Sequence, residues 1–306
     1  MILSICIPIY NTDIRPLATE LHRQIQKYSS EVELLFLDDA SDVFFKEINR
    51  SVGRFSDYQE LPTNVGRSKI RNAFLPFVKG TYLLFIDGDS EITSSDFIKN
   101  YVECLKSSEK DVVIGASIYA EIKPRRKQLL RWKYSRTREC KAFEDRVKHP
   151  ELGFKSNNFI ISKTLFSKHP FDESLTTYGH EDTLFGYFLR KAKVKIEHLD
   201  NPVLNSNLDE NEVFLEKTKE ALQNLMSIAS RLNDPTFNAE HHLLSLAMRI
   251  EKNAMTRGLL LVTDRLLLTS LKGFLSKGYF ALWMFDLYRL IYLNRFLIQY
   301  RLKQGN

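Results

Sequence analysis

The stretch Tyr82-Leu-Leu-Phe-Ile-Asp-Gly-Asp-Ser90 decides the fold that the sequence predicts. Its apolar run, 82–86, predicts a short strand that is buried on both faces. The strand ends in two carboxylates, Asp87 and Asp89, separated by one glycine. Ligands of open α/β sheets bind outside the carboxyl ends of the strands, and carboxylate oxygens suit Mg²⁺ or Mn²⁺ beneath nucleotide phosphates. The alternative is a solvated turn, because Asp and Gly are common turn residues.

Strands and helices alternate along the first two thirds of the chain. Further strands are predicted over Met1–Ile9, Val32–Leu37, Tyr58–Leu61, Asp111–Ala116, Phe154–Ser162 and Lys193–Leu199, and the first two of these are buried. Helices are predicted over Pro16–Tyr28, Phe44–Phe55, Asp96–Ser107 and Thr183–Lys191. This alternation predicts an α/β fold with a Rossmann-like, mixed but mainly parallel sheet flanked by helices. The chain contains neither G-x-G-x-x-G nor G-x-x-x-x-G-K, which argues against dinucleotide dehydrogenases and P-loop enzymes.

Composition places the chain among ordinary globular proteins. It has 306 residues, of which 43% are hydrophobic and 27% charged, and it contains only three cysteines. Three scattered cysteines are too few for a disulfide framework, and no signal-peptide pattern is visible, so we expect a cytoplasmic location. The net charge of +6 fits an anionic ligand or an anionic membrane surface and does not require nucleic acid.

The composition changes near residue 212, where long helical periodicity begins. We therefore predict a catalytic domain over residues 1–212 and an α-helical C-terminal region over residues 213–306. Two stretches of that region, Leu259–Leu268 and Tyr279–Ile298, are rich in Leu and aromatic residues. They predict either helices packed in a core or an apolar face that lies on the inner surface of the cytoplasmic membrane.

The segment Lys123–Lys148 is dense in Lys and Arg and has no clean period. One interpretation is a solvated, mobile loop. The other is a lid that faces an anion or an acceptor, with Trp132 and Tyr134 as stacking surfaces.

Charged residues follow several of the predicted strands. The strand Val32–Leu37 is followed by Asp38 and Asp39, and a further acidic pair, Glu181 and Asp182, precedes a helix. The carboxyl ends of neighbouring parallel strands share one edge of a sheet, so we expect these acids to converge with Asp87 and Asp89. Arg67 and Arg71 are four residues apart near the start of a helix, which favours a site for a nucleotide's base or phosphates.

At this point five motifs, spread in order over residues 1–205, resemble those of family 2 glycosyltransferases. They are Ile7-Pro-Ile-Tyr-Asn11, Leu37-Asp-Asp-Ala-Ser41, Asn64-Val-Gly-Arg-Ser-Lys-Ile-Arg-Asn72, Asp87-Gly-Asp89 and Tyr178-Gly-His-Glu-Asp182. The resemblance implies the GT-A fold and an inverting, metal-dependent transfer of a sugar from a nucleotide-sugar donor, most simply a UDP-sugar. Ala40 departs from the family pattern, which has glycine at that position.

The resemblance also implies a role for each matching residue. The nucleotide-sugar site would contain Pro8, Tyr10, Asn11, Asp39, Asn64, Arg67, Arg71, Asp87 and Gly88, with Asp39 bonded to the base and Arg71 beside it. Asp89 and Asp87 would hold Mn²⁺ or Mg²⁺. His198 is the candidate for a further metal ligand, and a packed or surface histidine is the alternative.

On the acceptor side, the resemblance makes Asp182 the general base and gives Glu181 a part in holding the acceptor. Trp132, Tyr178 and His180 are the other candidates for acceptor contacts, although His180 fits a helix entry equally well. The acceptor would be a glycan or a lipid-linked saccharide. A carboxylate within reach of the attacking hydroxyl takes its proton, and a divalent cation stabilises the charge that develops on the departing diphosphate.

Three other functions are weighed against glycosyl transfer. A sugar nucleotidyltransferase would need a Gly-rich, Arg-containing loop after the first strand, and Ile7–Asn11 lacks one. A degenerate GT-A module that binds nucleotide or glycan without catalysis would not need Asp87, Asp89 and Asp182 to be intact. A nucleic-acid binder is disfavoured because the excess of Lys and Arg is confined to one segment and the C-terminal helices.

Overall fold

A computed structural model describes residues 1–107, 109–150, 154–253 and 266–304 of the chain. The protein forms two compact units. The first unit consists of Met1–Glu121, Arg138–Thr176 and Glu181–Asn207, and the second of Ile122–Thr137, Thr177–His180 and Leu208–Asn306. The single domain boundary expected near residue 212 stays a prediction.

The helices and strands follow one another in an α/β order up to residue 205. Up to residue 119 they are β1 (Leu3–Ile9), α1 (Arg15–Ile25), β2 (Val32–Asp38), α2 (Val43–Asn49), β3 (Asp57–Glu60), α3 (Gly66–Asn72), β4 (Tyr82–Ile86), β5 (Ser90–Glu91), α4 (Phe97–Ser107), β6 (Val112–Ile114) and β7 (Ser117–Tyr119). The next are α5 (Leu129–Tyr134), α6 (Phe143–Lys148), β8 (Asn158–Ser162), α7 (Lys163–Lys168), α8 (Glu181–Lys191), β9 (Ile196–His198) and β10 (Val203–Asn205). The remaining described helices are α9 (Asn211–Leu232), α10 (Pro235–Glu240), α11 (His242–Lys252), a helix over residues 266–276, and α12 (Leu282–Gln304).

The central sheet confirms the predicted mixed, mainly parallel topology. Its strand order is β3-β2-β1-β4-β8-β6-β9. All neighbouring pairs are parallel except those of β8, which runs antiparallel to both β4 and β6. A second sheet, β5-β10-β7, was not predicted. The parallel strands β1, β2 and β4 therefore end at one edge of the sheet, where the first two acidic motifs lie.

Strand β4 is buried on both faces, as its apolar run predicts. Leu84 and Ile86 pack in a cluster with residues of α1 and α4. Leu83 and Phe85 point to the other face and pack with residues of α3 and α8. Successive side chains of a strand alternate between its two faces. An uninterrupted apolar run therefore places apolar side chains on both faces, as a sheet covered on both sides requires.

The interpretation of Lys123–Lys148 as a solvated, mobile loop is wrong. Most of the segment is helical: it contains a 3₁₀ turn, α5, a π-helical turn over Ser135–Glu139, and α6. Leu130 of α5 is buried in a cluster of the second unit that contains Phe214 and Phe285, and the ring of Tyr134 lies 5.2 Å from that of Phe285. Leu130 and Tyr134 are four residues apart, so both face the core while the basic residues cover the rest of the helix.

The C-terminal helices belong to the second unit. The apolar stretch Leu259–Leu268 falls mostly on residues 254–265, which lie outside the described part of the chain. The other stretch, Tyr279–Ile298, forms a turn and most of α12. Among the helices of the described residues, none combines the length and the apolar character that a membrane span requires.

A buried hydrogen bond between α4 and β8 provides a test of this packing. Tyr101 donates its hydroxyl to Oδ1 of Asn158 at 2.6 Å, and neither residue has any solvent exposure. We expect Tyr101→Phe to lower the free energy of unfolding by about 1–3 kcal/mol, because the buried amide oxygen loses its donor. Denaturant unfolding measures this loss.

Tyr10→Phe is the matched control, since Tyr10 is 55% exposed. That variant should unfold with the wild-type midpoint. A loss of equal size in both variants would contradict the role given to the Tyr101–Asn158 bond.

Candidate active site

The end of β2 holds the start of α3 through Asp39. The Asp39 carboxylate, which is 4% exposed, accepts the backbone N–H groups of Val65 and Gly66 at 2.6 and 3.0 Å. Asn64 donates its side-chain amide to the Asp39 backbone oxygen at 3.2 Å. Burial raises the pKa of Asp39, and the two N–H donors oppose that rise. A carboxylate can accept about four hydrogen bonds, so these two donors leave Asp39 room for a further donor such as a nucleotide base. That contact with a base stays a prediction.

The loops after β1 and β2 are tied together by Asn11. Its backbone N–H donates to the Ser41 hydroxyl at 2.9 Å, and its side-chain oxygen accepts the Asp42 N–H at 2.7 Å. Asn11 and Ala40 both have left-handed backbones, with φ of 48° and 57°. A glycine adopts this conformation at least cost, which explains in physical terms why the family pattern has glycine where this chain has Ala40.

Pro8, Tyr10 and Gly88 lie at or beside the end of β1. Pro8 lies on β1 opposite Leu37, and Tyr10 is exposed at the end of the strand. A Cβ added to Gly88 would lie 3.0 Å from the Pro8 backbone oxygen, so the turn after β4 packs closely on the end of β1. The structure therefore brings Pro8, Tyr10 and Gly88 to one edge of the sheet.

A buried arginine of α3 contacts an acid after β4 and an acid at the start of α8. Nη2 of Arg71 donates to Oδ1 of Asp87 at 2.8 Å, and Nη1 lies 3.9 Å from Oε1 of Glu181. Nη1 also donates to the Arg67 backbone oxygen at 3.0 Å, and the guanidinium carbon lies 5.5 Å from the centre of the Phe171 ring. Arg71 is only 2% exposed, and its Nε has no hydrogen-bond partner among the described residues.

Glu181 and Asp182 occupy the first turn of α8 and have different neighbours. Glu181 is buried, with its Oε1 3.5 Å from Nη1 of Arg67. Asp182 accepts the Thr183 backbone N–H at 2.7 Å and the Lys155 ammonium at 3.3 Å. These contacts make Glu181 a counter-ion of the arginines, so its part in holding an acceptor stays a prediction.

The residues at the end of β4 fit a divalent cation. Asp89 is exposed and the Asp87 side chain is about one quarter exposed, so both present carboxylate oxygens towards solvent. No cluster of three or more His, Cys, Asp or Glu side chains that could hold a metal occurs in the part of the chain that the structure describes. Mg²⁺ is commonly held by one or two carboxylates, with substrate phosphates and water completing its shell, so two aspartates suffice.

His198 is not brought to these carboxylates. It ends β9, which is separated from β4 by β8 and β6 in the sheet. Its Nδ1 lies 2.8 Å from Nη1 of Arg146 and its Nε2 lies 3.1 Å from the Pro150 backbone oxygen. Burial lowers the pKa of His198. The packed histidine, rather than the metal ligand, matches these contacts, because both ring nitrogens already have neighbours.

Trp132, Tyr178 and His180 belong to the second unit. The Arg136 guanidinium lies 5.3 Å from the Trp132 ring, and the Lys217 ammonium lies 5.3 Å from the Tyr178 ring. Their acceptor contacts stay predictions.

The segment 177–180 is held by a residue that sequence analysis missed. The Asn224 side-chain amide donates to the backbone oxygens of Thr177, Tyr178 and Gly179 at 3.2, 3.3 and 2.9 Å. Lys155 was missed as well. Neither residue carries a signal in the sequence, since Lys155 lies 27 positions before Asp182 and Asn224 lies within an ordinary helical pattern.

With this geometry established, the chain was compared with known proteins. The model of the family described as Glycosyl transferase family 2 matches residues 4–169, which is more than half of the chain. The chain belongs to glycosyl transferase family 2. The matched region contains Asp39, Arg71 and the Asp87–Asp89 pair, whereas Glu181 and Asp182 lie beyond it. A comparison with curated protein sequences gave no significant match.

Solved structures support the same fold. The mannosyltransferase PcManGT of Pyrobaculum calidifontis, in complex with GDP-Man and Mn²⁺, is 14% identical with a TM-score of 0.59, over 96% of this chain and 86% of that one. Glucosyl-3-phosphoglycerate synthase of Mycobacterium tuberculosis, in complex with Mg²⁺ and uridine-diphosphate, is 19% identical with a TM-score of 0.53, over 76% and 80% of the two chains. These low identities establish the fold of a GT-A glycosyltransferase and no more.

A third similar structure is S. aureus TarS, which is 19% identical. The match covers 74% of this glycosyltransferase and 40% of TarS, with a TM-score of 0.48. The chain thus spans less than half the length of TarS.

The buried position of Arg71 leads to a prediction for stability. Arg71→Met should lower the free energy of unfolding by about 3–5 kcal/mol, because it leaves the carboxylates of Asp87 and Glu181 without their buried cation. Denaturant unfolding of the full chain measures the loss.

Arg67→Met is the matched control, because Arg67 contacts Glu181 from a side chain that is about half exposed. Its loss should stay below about 1 kcal/mol. If the two variants lost the same small amount, Arg71 would not be the cation that holds the acids together.

Proposed function

We propose that this family 2 glycosyltransferase moves a sugar from a nucleotide-sugar donor, most simply a UDP-sugar, to a hydroxyl of a glycan or lipid-linked acceptor. The transfer inverts the configuration of the sugar and depends on Mn²⁺ or Mg²⁺. The observation that carries the proposal is the contact of one buried guanidinium with both Asp87 and Glu181. It supports a single site in which the acids after β4 and the acids that begin α8 act on the same reaction.

The donor half of the proposed site is formed by the loops after β1, β2 and β4. Asp39 and Tyr10 are assigned to the base, by hydrogen bonding and by stacking. Asp87 and Asp89 are assigned to the cation, which when bound stabilises the negative charge of the departing diphosphate. Arg71 orients Asp87 through a charge-assisted hydrogen bond of 2.8 Å. Arg71 is thus a positioning residue in this proposal, and a direct contact with the base is no longer needed.

The acceptor half centres on Asp182. The acceptor oxygen forms a bond to the anomeric carbon as the bond from that carbon to the diphosphate oxygen breaks, and the diphosphate keeps the electron pair. Asp182 takes the hydroxyl proton. Its carboxylate accepts the Thr183 N–H and the Lys155 ammonium, and it lies in the first turn of α8, where the helix dipole attracts negative charge.

A cytoplasmic location is part of the same proposal. It is supported by the three cysteines, which are all free, as expected in a reducing compartment.

Two variants separate the proposed base from the proposed metal ligand. Asp182→Asn should keep metal-dependent nucleotide binding and lose transfer by about 10²–10⁴-fold, because only the proton acceptor is removed. Asp89→Ala should lose the metal-dependent part of nucleotide binding as well. Calorimetric titration of UDP with and without Mn²⁺, together with a transfer assay, measures both.

Full transfer by Asp182→Asn would show that another group is the base. If wild-type protein bound nucleotide yet neither hydrolysed nor transferred from any member of a panel of UDP- and GDP-sugars with Mn²⁺, the binding module without catalysis would be favoured.

The contact between Lys155 and Asp182 predicts a loss of transfer when the lysine is removed. Lys155→Met should lower kcat/KM by up to about tenfold, because the Asp182 carboxylate loses a charge-assisted hydrogen bond that orients it. Lys155→Arg, which keeps the charge, should retain most of the wild-type kcat/KM, and a transfer assay measures both variants. An unchanged kcat/KM in Lys155→Met would remove Lys155 from the proposed mechanism while leaving Asp182 in place.

A further inference from the structure

Large apolar side chains are exposed between residues 266 and 283 of the second unit. The described residues contain sixteen exposed large hydrophobic side chains, and five of these lie in this short interval. They are Leu266, Leu267, Phe274, Tyr279 and Trp283, and between 39% and 77% of each is exposed. We call these five residues the apolar tip. Large apolar side chains that are exposed together in one short segment commonly mark an interaction site.

Among the described residues, the core of the second unit next to the apolar tip is formed by other side chains. The helix over residues 266–276 buries Leu268, Leu271 and Leu275, which join a core cluster with Phe285. These three leucines are three and four residues apart and so lie on one face of the helix. Leu266 and Phe274 lie off that face, where solubility alone would favour polar residues.

The turn that carries Tyr279 is held in one conformation. Gly278 has φ of +76°, and a Cβ added to it would lie 2.4 Å from the Arg126 backbone oxygen. The Asn211 side-chain amide donates to the backbone oxygens of both Arg126 and Ser276, at 3.0 and 3.1 Å. The turn therefore presents its aromatic side chains on an ordered backbone, so that little conformational entropy is lost when they bind.

Basic residues lie beside the apolar tip, one in contact with Tyr279 and two close in sequence. The Arg126 guanidinium lies 4.5 Å from the centre of the Tyr279 ring and donates to the phenol oxygen. Lys127 follows Arg126 in the chain, and Lys277 precedes the turn glycine with its side chain exposed. Trp and Tyr favour the boundary between lipid headgroups and acyl chains, and each Lys or Arg beside an anionic leaflet adds attraction. The combination matches an anionic bilayer in both polarity and charge.

We infer that the apolar tip, with Arg126, Lys127 and Lys277 beside it, docks this protein on the surface of an anionic lipid bilayer. Phe274 and Trp283 enter the boundary between headgroups and acyl chains, and the three cations contact lipid phosphates. The contact lies in the plane of the interface and does not cross the membrane. It requires neither donor nor acceptor, so it stands or falls independently of the proposed glycosyl transfer.

Trp283 can report this contact directly. The chain has two tryptophans, so Trp132→Phe leaves Trp283 as the only one. The full-length variant is titrated with vesicles of phosphatidylcholine that contain 30% phosphatidylglycerol. We expect a blue shift of the Trp283 emission and quenching by lipids brominated on their acyl chains, both reduced by high salt.

Variants of the tip measure its contribution to the vesicle partition coefficient. The double variant Phe274→Ser/Trp283→Ser, in otherwise wild-type protein, should lower the coefficient by at least about tenfold. Lys277→Gln should lower it by about fivefold. Phe44→Ser is the matched control, because Phe44 is a similarly exposed aromatic residue of the first unit, and it should leave partition unchanged. Unfolding midpoints equal to that of wild type confirm that these surface variants fold.

Three results would overturn the inference. The first is no binding to anionic vesicles. The second is binding that persists unchanged in Phe274→Ser/Trp283→Ser. The third is concentration-dependent self-association in sedimentation velocity, without vesicle binding, that the same double variant abolishes. That last result would assign the apolar tip to a second copy of the chain.

Discussion

The candidate site depends on one buried cation. A guanidinium that is removed from water must be paired and hydrogen-bonded, because the cost of desolvating an isolated charge is several kcal/mol. Arg71 meets this requirement with Asp87 after β4, with Glu181 at the start of α8, and with a backbone oxygen of its own helix. A displacement of either acid would leave a charge without its partner. The electrostatic requirement therefore fixes the distance between the strand that carries the acidic pair and the helix that carries the proposed base.

Helix α3, which carries Arg71, is hydrogen-bonded at both ends to other parts of the first unit. Its first residues donate two N–H groups to Asp39, which fixes it to the end of β2. At its other end, Asn72 exchanges two hydrogen bonds with the backbone of Phe171, at 2.9 and 3.0 Å. Phe171 in turn lies beneath the Arg71 guanidinium. A helix of seven residues thus connects three parts of the chain that are far apart in sequence, and isolated helices of that length are not stable in water.

The sequence predicted those features that depend on local chemistry. The apolar run of β4 predicted burial on both faces, and the order of the motifs predicted the sheet edge at which the strands before Asp39 and Asp87 end. Strand direction was not accessible in this way: the apolar residues of β8 resemble those of a parallel strand, and only long-range pairing makes it antiparallel. The core packing of Leu130 and Tyr134 was not predicted, because two apolar positions in a short basic helix give too weak a period. The sequence left His198 open between a metal ligand and a packed histidine, because its position in the sheet depends on strand order, which a single strand does not encode.

The first turn of α8 shows why two adjacent carboxylates can have different tasks. Neighbouring residues of an α-helix project about 100° apart, so Glu181 and Asp182 cannot face the same partners. Glu181 points to two guanidinium groups and is buried, which suits a permanent counter-ion. Asp182 accepts the backbone N–H and the hydroxyl of Thr183 and the ammonium of Lys155, whose side chain is about half exposed. A proton acceptor must come within hydrogen-bond reach of its substrate. The Asp182 side chain is 17% exposed, against 7% for Glu181, and this difference supports the proposed assignment of the proton transfer to Asp182.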